Sequence, residues 1–144
     1  LGAILPPSYQ EFLRVTNGWR TIGDEVGRLL SIDEVGWLRV RHPETIRDWL
    51  EGARSQGESL DVPDEKYFVY GRDQLADTVR LEYLSAALEI SAEAFDGGVF
   101  LLNPEVRTPS GDWEAWFLAP WLAGAARYRS FWELMEDEYR QFTC

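Results

Sequence analysis

Cysteine is almost absent. The single one, Cys144, is the last of 144 residues, so no internal disulfide can form and a disulfide-stapled secreted scaffold is excluded. Histidine is as scarce: His42 stands alone, too little to build a zinc site of several His and Cys ligands. No apolar run approaches the ~20 residues that span a bilayer, and no charged-then-apolar leader opens the chain. These absences lead to the expectation of a cytoplasmic protein. Positive charge is also in short supply, with 14 Lys and Arg against 25 Asp and Glu and a formal net charge of −11. Such a surface repels phosphate backbones and anionic lipids, which disfavours nucleic acid and membrane as partners. The partner this charge attracts is a basic protein, met faster at low salt.

Catalytic sets are missing in the same way. No G-x-x-x-x-G-K-[ST] loop is present, and no G-x-G-x-x-G follows a strand. A Cys–His pair would depend on the terminal Cys144. A serine triad would depend on His42, which precedes a proline at a helix start and reads as a boundary residue. The sequence therefore implies no catalytic residues, no metal and no cofactor. One chemical alternative stays open, a carboxylate-dependent hydrolase, because 25 acids can hide a glycosidase-like pair without any signature.

What the chain does hold is apolar mass. Hydrophobic residues make up 45% and aromatic ones 14%, with 7 Trp, 6 Tyr and 7 Phe. At this length and composition one domain with one core is expected. Leu5-Pro6-Pro7-Ser8 starts a helix with Tyr9, Phe12, Leu13 and Thr16 on one face, closed by Asn17-Gly18. Trp19 to Gly27 reads as a loop. Leu29, Leu30 and Ile32 form an apolar patch entering a short turn or helix at Ser31–Val35. His42-Pro43-Glu44 opens a helix to about Ala53, with Ile46, Trp49 and Leu50 inward. Gly52 to Asp64 is a loop ending in the acidic run Asp61-Val62-Pro63-Asp64-Glu65.

Beyond it the pattern suggests a strand at Lys66–Tyr70, a half-buried strand or an irregular edge at Thr78–Leu84, and a strand at Ala87–Ser91. Gly98–Leu102 is an unbroken apolar run, expected at the centre of the sheet with both faces covered. Thr108-Pro109-Ser110-Gly111 turns the chain. Trp113–Leu118 returns as a hairpin partner, with Trp113, Ala115 and Phe117 on one face and Glu114, Trp116 and Leu118 on the other. The aromatic group Trp113, Trp116, Phe117 and Trp121 is either core or the lining of a ligand pocket. Ser130-Phe131-Trp132-Glu133 is a capping box. The helix it opens carries Phe131, Leu134, Met135, Tyr139 and Phe142 on one face, and Glu133, Glu136 and Asp137 toward water. Helical signals at both ends and strands between them predict an α+β fold.

Three of these segments, in this order, resemble the SMI1/KNR4 (SUKH) superfamily. Leu5-Pro6-Pro7-Ser8-Tyr9-Gln10-Glu11-Phe12-Leu13 followed by Asn17-Gly18-Trp19 is similar to its opening L-P-x-S-Y-x-x-F-L…N-G. Gly98 to Pro104 and Gly111 to Phe117 are similar to its central hairpin. Ser130-Phe131-Trp132-Glu133-Leu134-Met135 is similar to its C-terminal S-F-x-E-L helix. The resemblance spans nearly the whole chain. It implies an α+β domain whose bent, mainly antiparallel sheet of about four to six strands is flanked by helices. It also implies a single domain over 1–144 that lacks the family's first helix, of which only Leu1-Gly2 would remain.

The resemblance further implies binding rather than catalysis. Many bacterial members are immunity proteins that bind and neutralise toxins, often nucleases, and a fungal member is a regulatory scaffold. The expected function is a non-catalytic binding module for a basic toxin domain, with a scaffold or adaptor as the alternative. Acidic side chains would steer such a partner and aromatics would anchor it. The candidate contacts are Trp19, Asp24 and Glu25 in the first loop, Asp61, Asp64 and Glu65 in the acidic run, and Trp116 on the hairpin.

Overall fold

The computed structural model describes residues 4–18, 28–56, 62–92, 98–122 and 124–143. The chain forms α1 (Pro7–Val15), β1 (Gly36–Trp37), α2 (Leu38–Arg41), α3 (Pro43–Ser55), α4 (Asp64–Tyr67), β2 (Leu88–Glu89), β3 (Val99–Arg107), β4 (Trp113–Ala119), β5 (Gly124–Tyr128) and α5 (Phe131–Thr143). Short 3-10 turns occupy Gly71–Asp73, Leu81–Ala86 and Pro120–Leu122. All five strands pair antiparallel in the order β1-β2-β3-β4-β5. The fold is α+β, as the sequence pattern predicts.

Helices cover both faces of this sheet. On one side Tyr9, Phe131 and Leu134 pack on Leu88, Phe100, Leu102, Trp113, Ala115 and Phe117. On the other side Leu38, Ile46, Ala53, Tyr67, Leu81 and Leu84 pack on Val99, Leu101, Trp116, Leu118 and Ala125. Every residue of β4 is consequently buried, as expected of a central strand that faces two layers. The alternation read from the sequence places Trp113, Ala115 and Phe117 in the first layer, and Trp116 and Leu118 in the second. The hairpin runs in register from Val99↔Leu118 to Asn103↔Glu114 and then shifts before Arg107↔Trp113. Pro104 stands at this shift, because proline has no N–H to give the ladder.

Local chemistry explains the helix ends. α1 begins at Pro7 behind an extended Pro6 and has no side-chain cap of its own. Its Ser8 N–H instead donates to the Asp112 carboxylate at 2.8 Å, so the β3–β4 turn caps this helix from a distance. Past its C-terminus Gly18 has φ +100°, and a Cβ there would lie 3.1 Å from Ser31 N and 3.2 Å from Leu29 O, so glycine alone fits. The predicted cap of α5 is present. Glu133 N–H donates to Ser130 Oγ at 3.2 Å, and Arg129 N–H donates to the Glu133 carboxylate at 3.1 Å.

Two predicted strands are absent. Lys66–Tyr70 enters α4, and Thr78–Leu84 runs into the 3-10 turn Leu81–Ala86. Pro63 at the N-cap and Asp64 and Glu65 in the first turn favour a helix start over a pleat. The aromatics of both segments serve a packing cluster described below. Tyr139 departs from the predicted inner face of α5 and is exposed, and the Phe142 side chain lies outside the described residues. Two strands come without a sequence signal: the two-residue β1 at Gly36–Trp37, and β5, whose Gly-Ala-Ala run carries little β propensity.

β5 is an edge strand with its outer rim occupied. Arg127 N–H donates to Gln74 Oε1 at 2.7 Å, Gln74 Nε2 donates to Arg127 O at 3.0 Å, and Ala125 N–H donates to Ala76 O at 3.1 Å. A side-chain amide and one carbonyl thus stand in for a sixth strand and blunt an edge that otherwise invites pairing. The approach is close enough that a Cβ on Gly124 would collide with Ala76 O.

Candidate functional site

The acidic run emerges from the fold through α4. Asp64 and Glu65 occupy its first turn and are both exposed, whereas Tyr67 at its end is fully buried. Acids suit this helix start because its free N–H groups favour negative charge. Arg80 holds the turn in place. It donates through Nε and Nη2 to Val62 O at 2.9 and 2.8 Å and through Nη2 to the Asp64 carboxylate at 2.5 Å. Its guanidinium lies 4.5 Å from the Tyr67 ring centre, 5.5 Å from Phe68 and 5.8 Å from Tyr83. Asp64 remains largely open to water, so the pair itself adds little stability. The stacking and backbone contacts of Arg80 do the positioning.

Beneath α4 lies a sealed polar cluster that sequence reasoning missed. Glu114 of β4 and Arg127 of β5 are fully buried, 3.9 Å apart. Glu114 Oε1 accepts from Tyr67 OH, from Asn103 Nδ2 at 3.1 Å and from Trp116 Nε1 at 2.6 Å, and Oε2 accepts from Tyr70 OH at 2.5 Å. Arg127 donates to Tyr67 O and, at 3.4 Å, to Thr78 Oγ1, with its guanidinium 4.0 Å from the Tyr67 ring centre. Burial, and then the Glu114 charge, push the Tyr67 and Tyr70 phenols above their usual range, so both stay protonated as donors. A buried carboxylate is tolerated only when its lone pairs are met and its charge is matched, and here both conditions hold. Every contact of Glu114 is internal. The carboxylate welds α4 and the loop after it to the sheet.

The seven predicted contacts divide three ways. Trp19, Asp24, Glu25 and Asp61 lie outside the described residues. Asp64 and Glu65 sit side by side on the surface, in the first turn of α4. Trp116 requires correction: it is 1% exposed, because its indole N–H is spent on Glu114 and its ring fills the layer under α3 and α4. The aromatic group considered as a pocket lining is core for Trp113, Trp116 and Phe117, while Trp121 is 52% exposed and packs edge-on against Phe117. The signal that would have pointed to the buried cluster is Glu114 itself, a charged residue on the inward parity of an otherwise apolar strand.

His42 is a boundary residue, as read. It caps α3 without a side-chain bond and lies 3.3 Å from Glu44 and 3.6 Å from Glu89. Among the described residues no group of three His, Cys, Asp or Glu is placed to hold a metal, and no helix is long and apolar enough to cross a membrane. Neither a family model, nor a curated protein, nor a solved structure matches the chain.

Proposed function

We propose that this protein is a non-catalytic binding module for a basic protein partner. The observation that carries the reading is where its charge lies. Glu114 and Arg127 cancel inside the fold, so the whole net charge of −11 belongs to the rest of the molecule. Exterior cations are also neutralised locally: Arg14, Arg28, Arg129 and Arg140 each pair with an acid, as does the half-buried Arg80. The remaining field is negative, and it draws and orients a positive protein surface.

Together with the SMI1/KNR4 resemblance, this favours an immunity protein that neutralises a toxin, such as a nuclease whose active-site surface must be basic to hold nucleic acid. Co-expression with the toxin domain encoded beside it restores growth on this reading. The association rate falls steeply between low and physiological ionic strength, where exposed charges are screened beyond ~8 Å. A folded, abundant protein that rescues no neighbouring toxin and binds with a flat salt response refutes the proposal.

A further inference from the structure

Helix α5 turns Phe131 and Leu134 into the core, yet two of its largest side chains face outward. Trp132 is 62% exposed and Tyr139 is 69% exposed, and half-buried Met135 lies between them. The three stand at i, i+3 and i+7, the spacing at which one helix offers its side chains to another. Single exposed apolar residues are ordinary on a protein surface, whereas an indole and a phenol aligned on one helix form a directed strip. Exposed Glu136 belongs to the same strip, four residues after Trp132 and three before Tyr139. Both arginines near it are engaged, Arg129 with Glu133 at 3.5 Å and Arg140 with Asp137 at 3.7 Å.

We infer that Trp132, Met135, Glu136 and Tyr139 form the docking strip for an amphipathic helix of the basic partner. Apolar side chains of that helix lie between Trp132 and Tyr139, and a Lys or Arg meets Glu136. The inference rests on the basic-partner reading above and names its contact face. A second copy of this chain is the wrong occupant. Two-fold pairing would lay the Glu136 strip against itself, between molecules that each carry −11. The strip is also held firmly. Phe131 packs 5.1 Å from Tyr9 and 5.0 Å from Phe12 between ring centres, and Tyr128 OH donates to Asp137 at 2.6 Å. A rigid platform loses little freedom on binding.

The test uses two labelled synthetic helical peptides of about 21 residues with leucine at the heptad core positions. One has lysine at the flanking positions and the other has glutamate. Fluorescence anisotropy is read against the full chain. The lysine peptide binds and the glutamate peptide does not. Trp132→Ala and Tyr139→Ala each weaken the lysine peptide about tenfold while melting behaviour is retained, and Glu136→Lys weakens it and admits the glutamate peptide. Absence of lysine-peptide binding up to ~1 mM, equal binding of both peptides, or unchanged binding by the folded alanine variants overturns the inference. A natural basic partner that binds wild type and the double alanine variant alike removes only this contact face and leaves the binding-module reading in place.

Discussion

Replacing Glu114 by glutamine changes one charge at the centre of the molecule and almost nothing in shape. In the native protein its carboxylate accepts from Tyr67, Tyr70, Asn103 and Trp116 and faces Arg127. The amide keeps one accepting oxygen, places two donors among groups that are themselves donors, and strands the Arg127 charge out of reach of water. Removing one partner of a buried ion pair costs about 3–5 kcal/mol, against a total stability on the order of 5–15 kcal/mol. The lower figure corresponds to a fall in Tm on the order of 10 °C for a chain of this size.

The companion change, Glu114→Gln with Arg127→Met, removes both charges. It is expected to recover at least ~1 kcal/mol relative to Glu114→Gln alone, because the stranded cation is gone. Urea denaturation of wild type, both single variants and the double variant gives the coupling directly. A cost below ~1 kcal/mol for Glu114→Gln, or a double variant no better than the sum of the singles, would refute the assignment of this cluster as the weld between α4 and the sheet.

Gly124→Ala drives a methyl group into the Ala76 carbonyl; it lowers stability by roughly 1–3 kcal/mol in urea melts and speeds amide exchange at Arg127, whose N–H is bonded to Gln74. Asp112→Ala removes the remote cap on α1 and costs about 1 kcal/mol, with the earliest exchange at Ser8. The Arg28 hydrogen bond, joined by a backbone N–H from Ser31, holds the Glu34 carboxyl at about 2 instead of 4.5. The folded value is depressed, so the stabilisation is complete above the unfolded value and is lost as pH falls from about 4.5 toward about 2. Because the pair is exposed the effect on folding is small, and side-chain carboxyl NMR of Glu34 checks the midpoint, with an ordinary carboxylate value refuting the clamp.

Local signals were legible where a single residue type decides the backbone. Pro7 at the start of α1, Gly18 beyond its end, the Ser130–Glu133 cap and the alternation through β4 all appear where the pattern puts them. The pattern misled where side chains were chosen for distant partners. Tyr67, Phe68 and Tyr70 look like a strand because they are aromatic, yet they are aromatic in order to surround Arg80 and reach Glu114. The Gly-Ala-Ala run of β5 looks like no strand because its residues are small: the Ala76 backbone presses against Gly124, and Ala125 and Ala126 pack into the two apolar layers. Of the candidate site, the acidic turn at Asp64 and Glu65 was visible from composition. The burial of Trp116 and the outward turn of Trp132 and Tyr139 were not.

Charge and backbone preference are properties of residues taken one at a time. That is why the sequence alone determines the acidic character, the starts of α1, α3 and α5, and the two-faced central hairpin. Which aromatic is core and which is surface depends on what the fold brings against it across the sheet. Trp116 and Trp132 are equivalent as letters, and only the tertiary structure, by seating Glu114 beside one and leaving water beside the other, decides that the first is core and the second is surface.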